Sequence, residues 1–151
     1  MVRIEGEIVI GCPVEDVFDV VSDERNEPRF NPKMVEVEQL TSGPIGVGTQ
    51  FRAESRVGRG TDEMTIEITA FERPRRLASR TRMSSMDIDG ELTFIPIVQG
   101  TLMHWSWAIT PHGFYRVLGA VIARVGDRQE KEIWSGFKRF MEDQGKADPI
   151  K

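Results

Sequence analysis

The sequence predicts an α+β domain, in which a curved antiparallel sheet of about seven strands wraps around a long C-terminal helix. Three observations support this fold class. Apolar residues recur every three or four positions over residues 13–23, which is the spacing of an amphipathic helix. Apolar and polar residues then alternate through much of 34–109, as in strands with one buried face. Helical spacing returns over 113–144 and predicts one long helix.

The chain begins with a predicted strand followed by one or two short helices. Isoleucines and a valine among charged residues predict a strand over 3–10, which a Gly-Cys-Pro sequence ends. Pro13 suits the first helical position, where a missing N–H is no loss, and acidic residues in the next turn suit the helix dipole. The polar segment 23–32 contains two prolines, so we expect it to hold only a short helical turn that carries Phe30.

The middle of the chain is predicted to form a run of about six strands joined by short turns. Glycine and proline mark the breaks, for example at 41–48 and 58–60. Short turns between alternating segments indicate antiparallel pairing with one buried face. Alternation assigns these residues to the buried face: Val35, Val37, Phe51, Ala53, Ser55, Val57, Met64, Ile66, Ile68, Ala70, Leu77, Ser79, Thr81, Met83, Leu92, Phe94, Thr101, Met103, Trp105, Trp107 and Ile109.

Composition argues against several classes of protein. A net charge of −4 disfavours a nucleic-acid-binding protein, because such a protein needs a basic face. Cys12 is the single cysteine, so no internal disulfide forms, which fits a reducing compartment. Acidic residues near the N-terminus disfavour a signal peptide, and the apolar run at 92–98 is too short for a membrane span. We therefore expect a cytoplasmic protein with one domain over 1–151, no transmembrane segment and a frayed tail over 145–151.

Five sequence segments in a fixed order carry a resemblance to a known superfamily. They lie at 13–23, 26–32, 43–51, 71–77 and 100–102. Together they resemble the START-like, polyketide cyclase/dehydrase superfamily (SRPBCC), which has the helix-grip fold and also includes the birch pollen allergen. The resemblance covers nearly the whole chain.

This resemblance implies a container more than a particular chemistry. Members commonly hold lipids, sterols or polyketides between sheet and helix, some are aromatase/cyclases, and others act through protein partners. The chain departs from the family at two places. Phe30 replaces a frequent tryptophan, and polar residues interrupt the helix stripe over 126–132. Helical spacing from Val125 is expected to turn Gln129 towards the sheet, with Arg128 or Glu132 beside it.

We predict that an apolar or amphipathic small molecule is bound or carried between the sheet and the final helix. The same residues would face each other in a solid core, so the sequence leaves cavity wall and core packing as alternatives. Hydroxyls on the buried face would need a partner, which a ligand, water or a neighbouring hydroxyl would supply. The predicted lining is Phe18, Phe30, Phe51, Met64, Ile66, Thr81, Phe94, Met103, Trp105, Trp107, Leu118, Ile122, Val125 and Gln129.

The sequence predicts no catalytic residue, metal site or cofactor. No pair of carboxylates falls on the inner strand faces, and His104 is expected to point outward between two inward residues. His112 and Tyr115 fall at the start of the last helix, where surface roles are favoured, and Cys12 precedes a helix without a histidine beside it. Two histidines and one distant cysteine make no recognised metal site.

Two further hypotheses concern other classes of function. Family resemblance alone supports an aromatase/cyclase, which would shape a reactive chain and polarise a carbonyl. A local basic cluster supports a protein-interaction module, although cross-strand pairing with acids such as Glu67 is the simpler interpretation. The sequence does not determine the oligomeric state. The cluster comprises Arg73, Arg75, Arg76, Arg80 and Arg82.

Overall fold

One antiparallel sheet forms the body of the protein in the computed structural model, which describes residues 1–147. Its seven strands follow the order β1-β7-β6-β5-β4-β3-β2, so β1 and β2 lie at opposite edges. The predicted α+β class with a seven-stranded sheet and a long C-terminal helix is confirmed. The strands are β1 (Val2–Ile10), β2 (Met34–Gln39), β3 (Gln50–Val57), β4 (Gly60–Glu72), β5 (Arg76–Met83), β6 (Met86–Ile97) and β7 (Gly100–Pro111).

Two short helices carry the chain from one sheet edge to the other. Helix α1 (Val14–Ser22) follows Pro13, which lies just outside the helix and not at its first position. A 3₁₀ helix (Glu24–Arg29) follows directly, as expected, and ends at Phe30. Asp23 fixes its start, because its carboxylate accepts a hydrogen bond of 3.1 Å from the Arg25 backbone N–H.

Register places the predicted inner residues on one concave face. Trp105 lies opposite Gly6 and Leu92. Residues directly opposite on neighbouring strands share a face, which assigns both indoles of β7 to the inside. Val35 is an exception to the prediction: an irregularity between Met34 and Glu36 leaves it 42% exposed.

The sheet's inner face packs against α1 through a continuous apolar core. Phe18 is fully buried and makes edge-to-face contacts with Phe71 at 5.1 Å and Phe94 at 5.4 Å. Burying an aromatic side chain of this size contributes about 1.5–3 kcal/mol. The helical spacing of apolar residues in α1 therefore corresponds to the face that anchors it on the sheet.

The C-terminal segment is divided where one helix was predicted. A second 3₁₀ helix (Gly113–Leu118) precedes α2 (Gly119–Ala147). Helix α2 continues to Ala147, and 148–151 lie outside the described residues, so the fraying predicted over 145–151 stays a prediction. The predicted stripe is also rotated, because Val121 and Val125 are 56% and 50% exposed.

Small residues explain this rotation. Gly119 lies against Val2, and a Cβ on Gly126 would come within 2.5 Å of the Ile4 side chain. Glycines therefore let the N-terminal half of α2 approach β1 closely. Further along, Gly136 faces the backbone of the first 3₁₀ segment, since a Cβ there would lie 2.8 Å from the Phe30 carbonyl oxygen.

Gly90 makes room for the ring of Trp107, and its replacement gives the first testable prediction. A Cβ at Gly90 would overlap the benzo edge of Trp107, which is its direct neighbour across β6 and β7. We expect Gly90→Ala to lower the free energy of unfolding by about 1–3 kcal/mol, as overpacked sites do. Urea denaturation measures this loss.

Gly46→Ala is the matched control, because a Cβ at Gly46 meets nothing within 4 Å. We expect this variant to stay within about 0.5 kcal/mol of the wild type. Equal stability of the two variants would contradict the close packing of Trp107 on Gly90.

Candidate functional site

Helix α2 does not cover the whole concave face of the sheet. Among the strands, its backbone neighbours are concentrated on β1 at one edge. Inner residues of β4–β6 consequently stay partly exposed although they face inward, as Met64, Thr81, Met83 and Ile88 do. The N-terminal half of α2 and these strands bound a partly open concave surface.

The structure divides the predicted lining into two groups. Six members are at most 5% exposed and belong to the packed core: Phe18, Phe51, Ile66, Phe94, Met103 and Trp105. Five others are partly exposed and border the open part of the concave face or the helix above it: Met64, Thr81, Trp107, Leu118 and Ile122. Position on the inner face alone did not distinguish these groups, because both follow the same alternation.

Three predicted residues have different surroundings. Phe30 packs in the core against Phe137 at 4.8 Å and stacks on Trp134 at 6.4 Å. Val125 is half exposed, so it is not packed in the core as Phe18 and Phe51 are. Gln129 is partly buried, one turn before Ile133, which packs against the core.

Glu130, and not Arg128 or Glu132, is the charged residue that α2 turns inward. The side chains of Arg128 and Glu132 are 84% and 64% exposed and pair with each other, so neither faces the sheet as expected. Glu130 Oε2 accepts a hydrogen bond of 2.8 Å from Trp134 Nε1, one turn along the helix. The close approach at Gly126 is consistent with this rotation, since 126, 130, 134 and 137 share a helical face.

The environment of Glu130 changes its protonation. Burial raises the pKa of Glu130 to about 7, and the nearby Glu27 adds to the rise. The indole N–H groups of Trp107 and Trp134 oppose it by favouring the anion. Trp107 acts from close range, but its Nε1 does not meet hydrogen-bond geometry. At neutral pH this carboxyl is therefore poised between its two forms.

Two further carboxyls reach the same region from the first 3₁₀ helix. Burial raises the pKa of Glu24 well above its ordinary range, and Glu27 beside it adds to this effect. Burial also raises the pKa of Glu27, against hydrogen bonds from Glu24 and Asn31. Asn31 Nδ2 donates to Glu27 Oε1 at 3.1 Å. We call Glu24, Glu27 and Glu130 the acidic cluster.

Two indole N–H groups on β7 are buried without a partner. Within the described residues, Nε1 of Trp105 and Nε1 of Trp107 are buried side-chain polar atoms that make no hydrogen bond. Trp105 is only 2% exposed, and its ring lies 6.1 Å from that of Trp134. An unsatisfied buried donor costs about 1–3 kcal/mol, so these atoms mark a place where an acceptor would stabilise the protein.

Sequence reasoning missed the acidic cluster and Trp134. The sequence expectation about paired carboxylates concerned the inner strand faces, whereas these three lie on helices. A usable pattern was present, because Glu130 and Trp134 are four residues apart, and Glu24 and Glu27 are three apart on a turn anchored by Phe30. Spacing alone did not give their orientation, which the close contacts of α2 with β1 and with Phe30 determine.

The other residues considered for chemistry lie away from this cluster. His104 lies on the outer face of β7, and His112 Nε2 is 3.4 Å from Asp87 at the end of the sheet. Burial raises the pKa of the Cys12 thiol, which disfavours a reactive thiolate. Thr101 on the inner face is satisfied, since its hydroxyl donates to the Cys12 carbonyl at 2.8 Å. Among the described residues, no group of histidine, cysteine or carboxylate side chains is arranged to hold a metal ion.

Ion pairs account for three members of the arginine cluster. Arg73 binds Asp19 at 2.7 Å, and Arg76 binds Glu72 and Glu91. Arg80 forms its ion pair with Asp89 on β6 at 2.8 Å, and Glu67, directly opposite on β4, helps to raise the pKa of Arg80 through its charge. These three arginines thus have partners within the fold.

Comparison with known proteins agrees with this architecture. A family model described as polyketide cyclase/dehydrase and lipid transport matches residues 1–142. The chain belongs to this family. A search of curated proteins gives no match.

Solved structures of the family's fold resemble the chain at low identity. A START superfamily protein from Mycobacterium smegmatis has a TM-score of 0.82 at 12% identity, over 94% of this chain and 98% of that one. The protein TTHA0849 from Thermus thermophilus gives 0.80 at 14% identity, over 94% and 98% of the two chains. The Zhui aromatase/cyclase from Streptomyces sp. R1128 gives 0.70 at 16% identity, over 91% and 94%. At these identities the likeness establishes the fold alone.

No helix within residues 1–147 combines the length and the apolar character needed to cross a bilayer.

Proposed function

We propose that the protein binds and carries an apolar or amphipathic small molecule on the concave face of the sheet, beside the N-terminal half of α2. The observation that carries this proposal is the pair of indole N–H groups of Trp105 and Trp107, buried on that face without an acceptor in the described part of the chain. A polar atom of the ligand would supply the acceptor, while its apolar part would cover the open face.

Partly exposed apolar side chains support this location. Met64, Met83 and Ile88 from the sheet remain accessible on the concave face, and Leu118 and Ile122 remain accessible on the helical segments. Removing apolar surface from water contributes about 25 cal/mol per Å², so a ligand that covers these side chains gains affinity from each. Family membership supports the same proposal, because its description includes lipid transport.

Native mass spectrometry of the purified protein tests this proposal. We expect the protein to retain a small molecule of defined mass that denaturation releases. Trp107→Phe should weaken retention, because it removes one donor and preserves an apolar ring. Ser106→Ala is the matched control, since Ser106 is the neighbouring β7 residue on the outer face and bonds Arg3 and Glu5 there.

Two outcomes would count against ligand binding. The protein would remain empty after purification and after exposure to a total lipid extract, or Trp107→Phe and Ser106→Ala would retain the same ligand equally. Either result would remove the assignment of the concave face as the binding site.

One observation favours an aromatase/cyclase as the second candidate function. General acid–base catalysis is most effective when the pKa of the group lies near the working pH, and Glu130 has a pKa of about 7. In an enzyme, Glu130 would exchange a proton with a bound polyketide chain. Glu130→Gln would then abolish turnover while leaving binding of the same chain intact. Loss of binding and turnover together would instead assign Glu130 to binding.

A further inference from the structure

Within the part of the chain that the structure describes, no basic side chain contributes to the pKa shifts of the acidic cluster. Among the described residues, the charges that shift the pKa values of Glu24 and Glu130 are other carboxylates, Glu27 foremost. Two basic side chains on the same helices form ion pairs with other residues. Arg25 binds Asp23 at 2.8 Å, and Lys131 binds Asp127 at 3.0 Å. The cluster therefore gathers three carboxyl groups whose ionised forms have no countercharge among the contacts described for residues 1–147.

The hydrogen-bond donors around the cluster nevertheless favour anions. Trp134 Nε1 donates to Glu130, and Asn31 Nδ2 donates to Glu27. Asn31 is 5% exposed and is itself held in place, because its Oδ1 accepts from the Lys33 backbone N–H. Fixed donors of this kind stabilise ionised carboxylates, whereas burial without a cation destabilises them. A bound cation would resolve this conflict.

Aromatic rings surround the same carboxylates. Trp134 lies between Phe30 at 6.4 Å and Trp105 at 6.1 Å, and Phe137 meets it edge-to-face at 5.7 Å. Trp107 approaches Glu130 from the sheet. Aromatic faces attract ammonium groups through their quadrupoles, most strongly where water is excluded. Rings and carboxylates together make a setting typical of ammonium recognition.

An independent observation concerns the indole N–H groups of this region. Trp105 is 2% exposed, its ring adjoins Trp134, and its Nε1 has no acceptor within residues 1–147. Trp107 Nε1 is similarly without a hydrogen bond. A native fold rarely leaves such donors unsatisfied. An oxygen atom close to the ammonium group of a ligand would provide the acceptor.

We propose that Glu24, Glu27 and Glu130, with the indoles of Trp105, Trp107 and Trp134, form an ammonium-binding subsite, and that the ligand is a hydrophobic amine with an oxygen near its nitrogen. This inference rests on the proposed binding function and specifies the chemistry of its ligand. The amine lies among the carboxylates, the oxygen accepts from an indole, and the apolar chain covers the open concave face.

A matched series of eight-carbon probes tests this proposal at about pH 7.5. The series consists of a vicinal amino alcohol, the corresponding diol and the corresponding hydroxy acid, which differ in charge and share chain length and an oxygen. All three tryptophans of the chain belong to the subsite, so tryptophan fluorescence reports binding directly. We expect the amino alcohol to bind at least about tenfold more tightly than the diol, and the hydroxy acid to bind most weakly.

Two variants and a control locate the preference. Glu130→Gln and Glu27→Gln should each reduce affinity for the amino alcohol by about tenfold and leave affinity for the diol unchanged. Glu132→Gln, on the same helix but 64% exposed, should change neither. Two independent variants keep the test valid if one of them fails to fold.

The outcomes separate this inference from the proposed function. Equal binding of amino alcohol and diol, or an unchanged preference in both Gln variants, would overturn the amine subsite while supporting interior binding. Preferred binding of the hydroxy acid would also overturn it. Failure of all three probes to bind, with native preparations empty as well, would overturn both proposals.

Discussion

Replacing Phe137 with alanine is expected to lower the free energy of unfolding by about 3–5 kcal/mol. Phe137 is fully buried and contacts the rings of Phe30 and Trp134, so it joins α2 to the first 3₁₀ segment. The loss combines the transfer energy of the ring with the cavity left among neighbours that relax only partly. Chemical denaturation followed by circular dichroism measures the change.

Phe114→Ala provides the control for this substitution. Phe114 lies in the second 3₁₀ helix and is 74% exposed, so the same chemical change should cost less than about 0.5 kcal/mol. A comparable loss in the two variants would contradict the packing described for α2. Because Phe137 also supports Trp134, its variant should alter tryptophan emission before unfolding, and Phe114→Ala should not.

Glu130→Gln is expected to change how stability depends on pH. The folded-state pKa of Glu130 is raised from the ordinary 4.5 to about 7, chiefly by burial. A shift of this size corresponds to about 3 kcal/mol. The folded protein holds the proton more tightly than the unfolded chain, so this contribution is fully present below about pH 4.5 and is lost as pH rises through about 7.

Glutamine resembles the protonated carboxyl at every pH. The stability of Glu130→Gln relative to the wild type should therefore rise by about 3 kcal/mol as the pH increases from about 4.5 to about 8. Neutralising Glu130 also removes its charge repulsion with Glu27, which further raises the stability of the variant relative to the wild type at higher pH. Denaturation curves at several pH values for the wild type, Glu130→Gln and the exposed control Glu132→Gln measure it. A difference between Glu130→Gln and wild type that does not vary with pH would contradict burial of an ionisable Glu130.

Much of the fold was predictable because each element follows a local rule. Alternation along β7 assigns Trp105 and Trp107 to one face, and the register of β7 with β1 and β6 agrees. The helical period of α1 likewise matches its buried face. Errors arose where the local rule was incomplete. The predicted burial of Val35 is wrong because the strand is irregular there. Val125 is more exposed than predicted because the glycines of α2, not its apolar residues, determine which side of the helix approaches β1.

The acidic cluster could not be predicted in the same way. Burial of a glutamate contradicts the usual preference of that residue, so no periodic pattern identifies it. Glu130 is inward because of the contact between Gly126 and Ile4, which joins residues far apart in sequence. Glu24 and Glu27 approach it because Phe30 is inserted against α2. These are tertiary constraints, and they arise only when the whole domain is assembled.

Gly136 lies at the close contact between α2 and the first 3₁₀ segment. A Cβ at Gly136 would lie 2.8 Å from the Phe30 carbonyl oxygen, so any larger residue would force the 3₁₀ segment and α2 apart. Glu24 and Glu27 lie on the 3₁₀ segment, and Glu130 lies on α2. A single residue without a side chain therefore sets the gap across which Glu27 and Glu130 repel each other. A larger residue at this position would widen the gap and weaken that repulsion, while the carboxylates themselves stay the same.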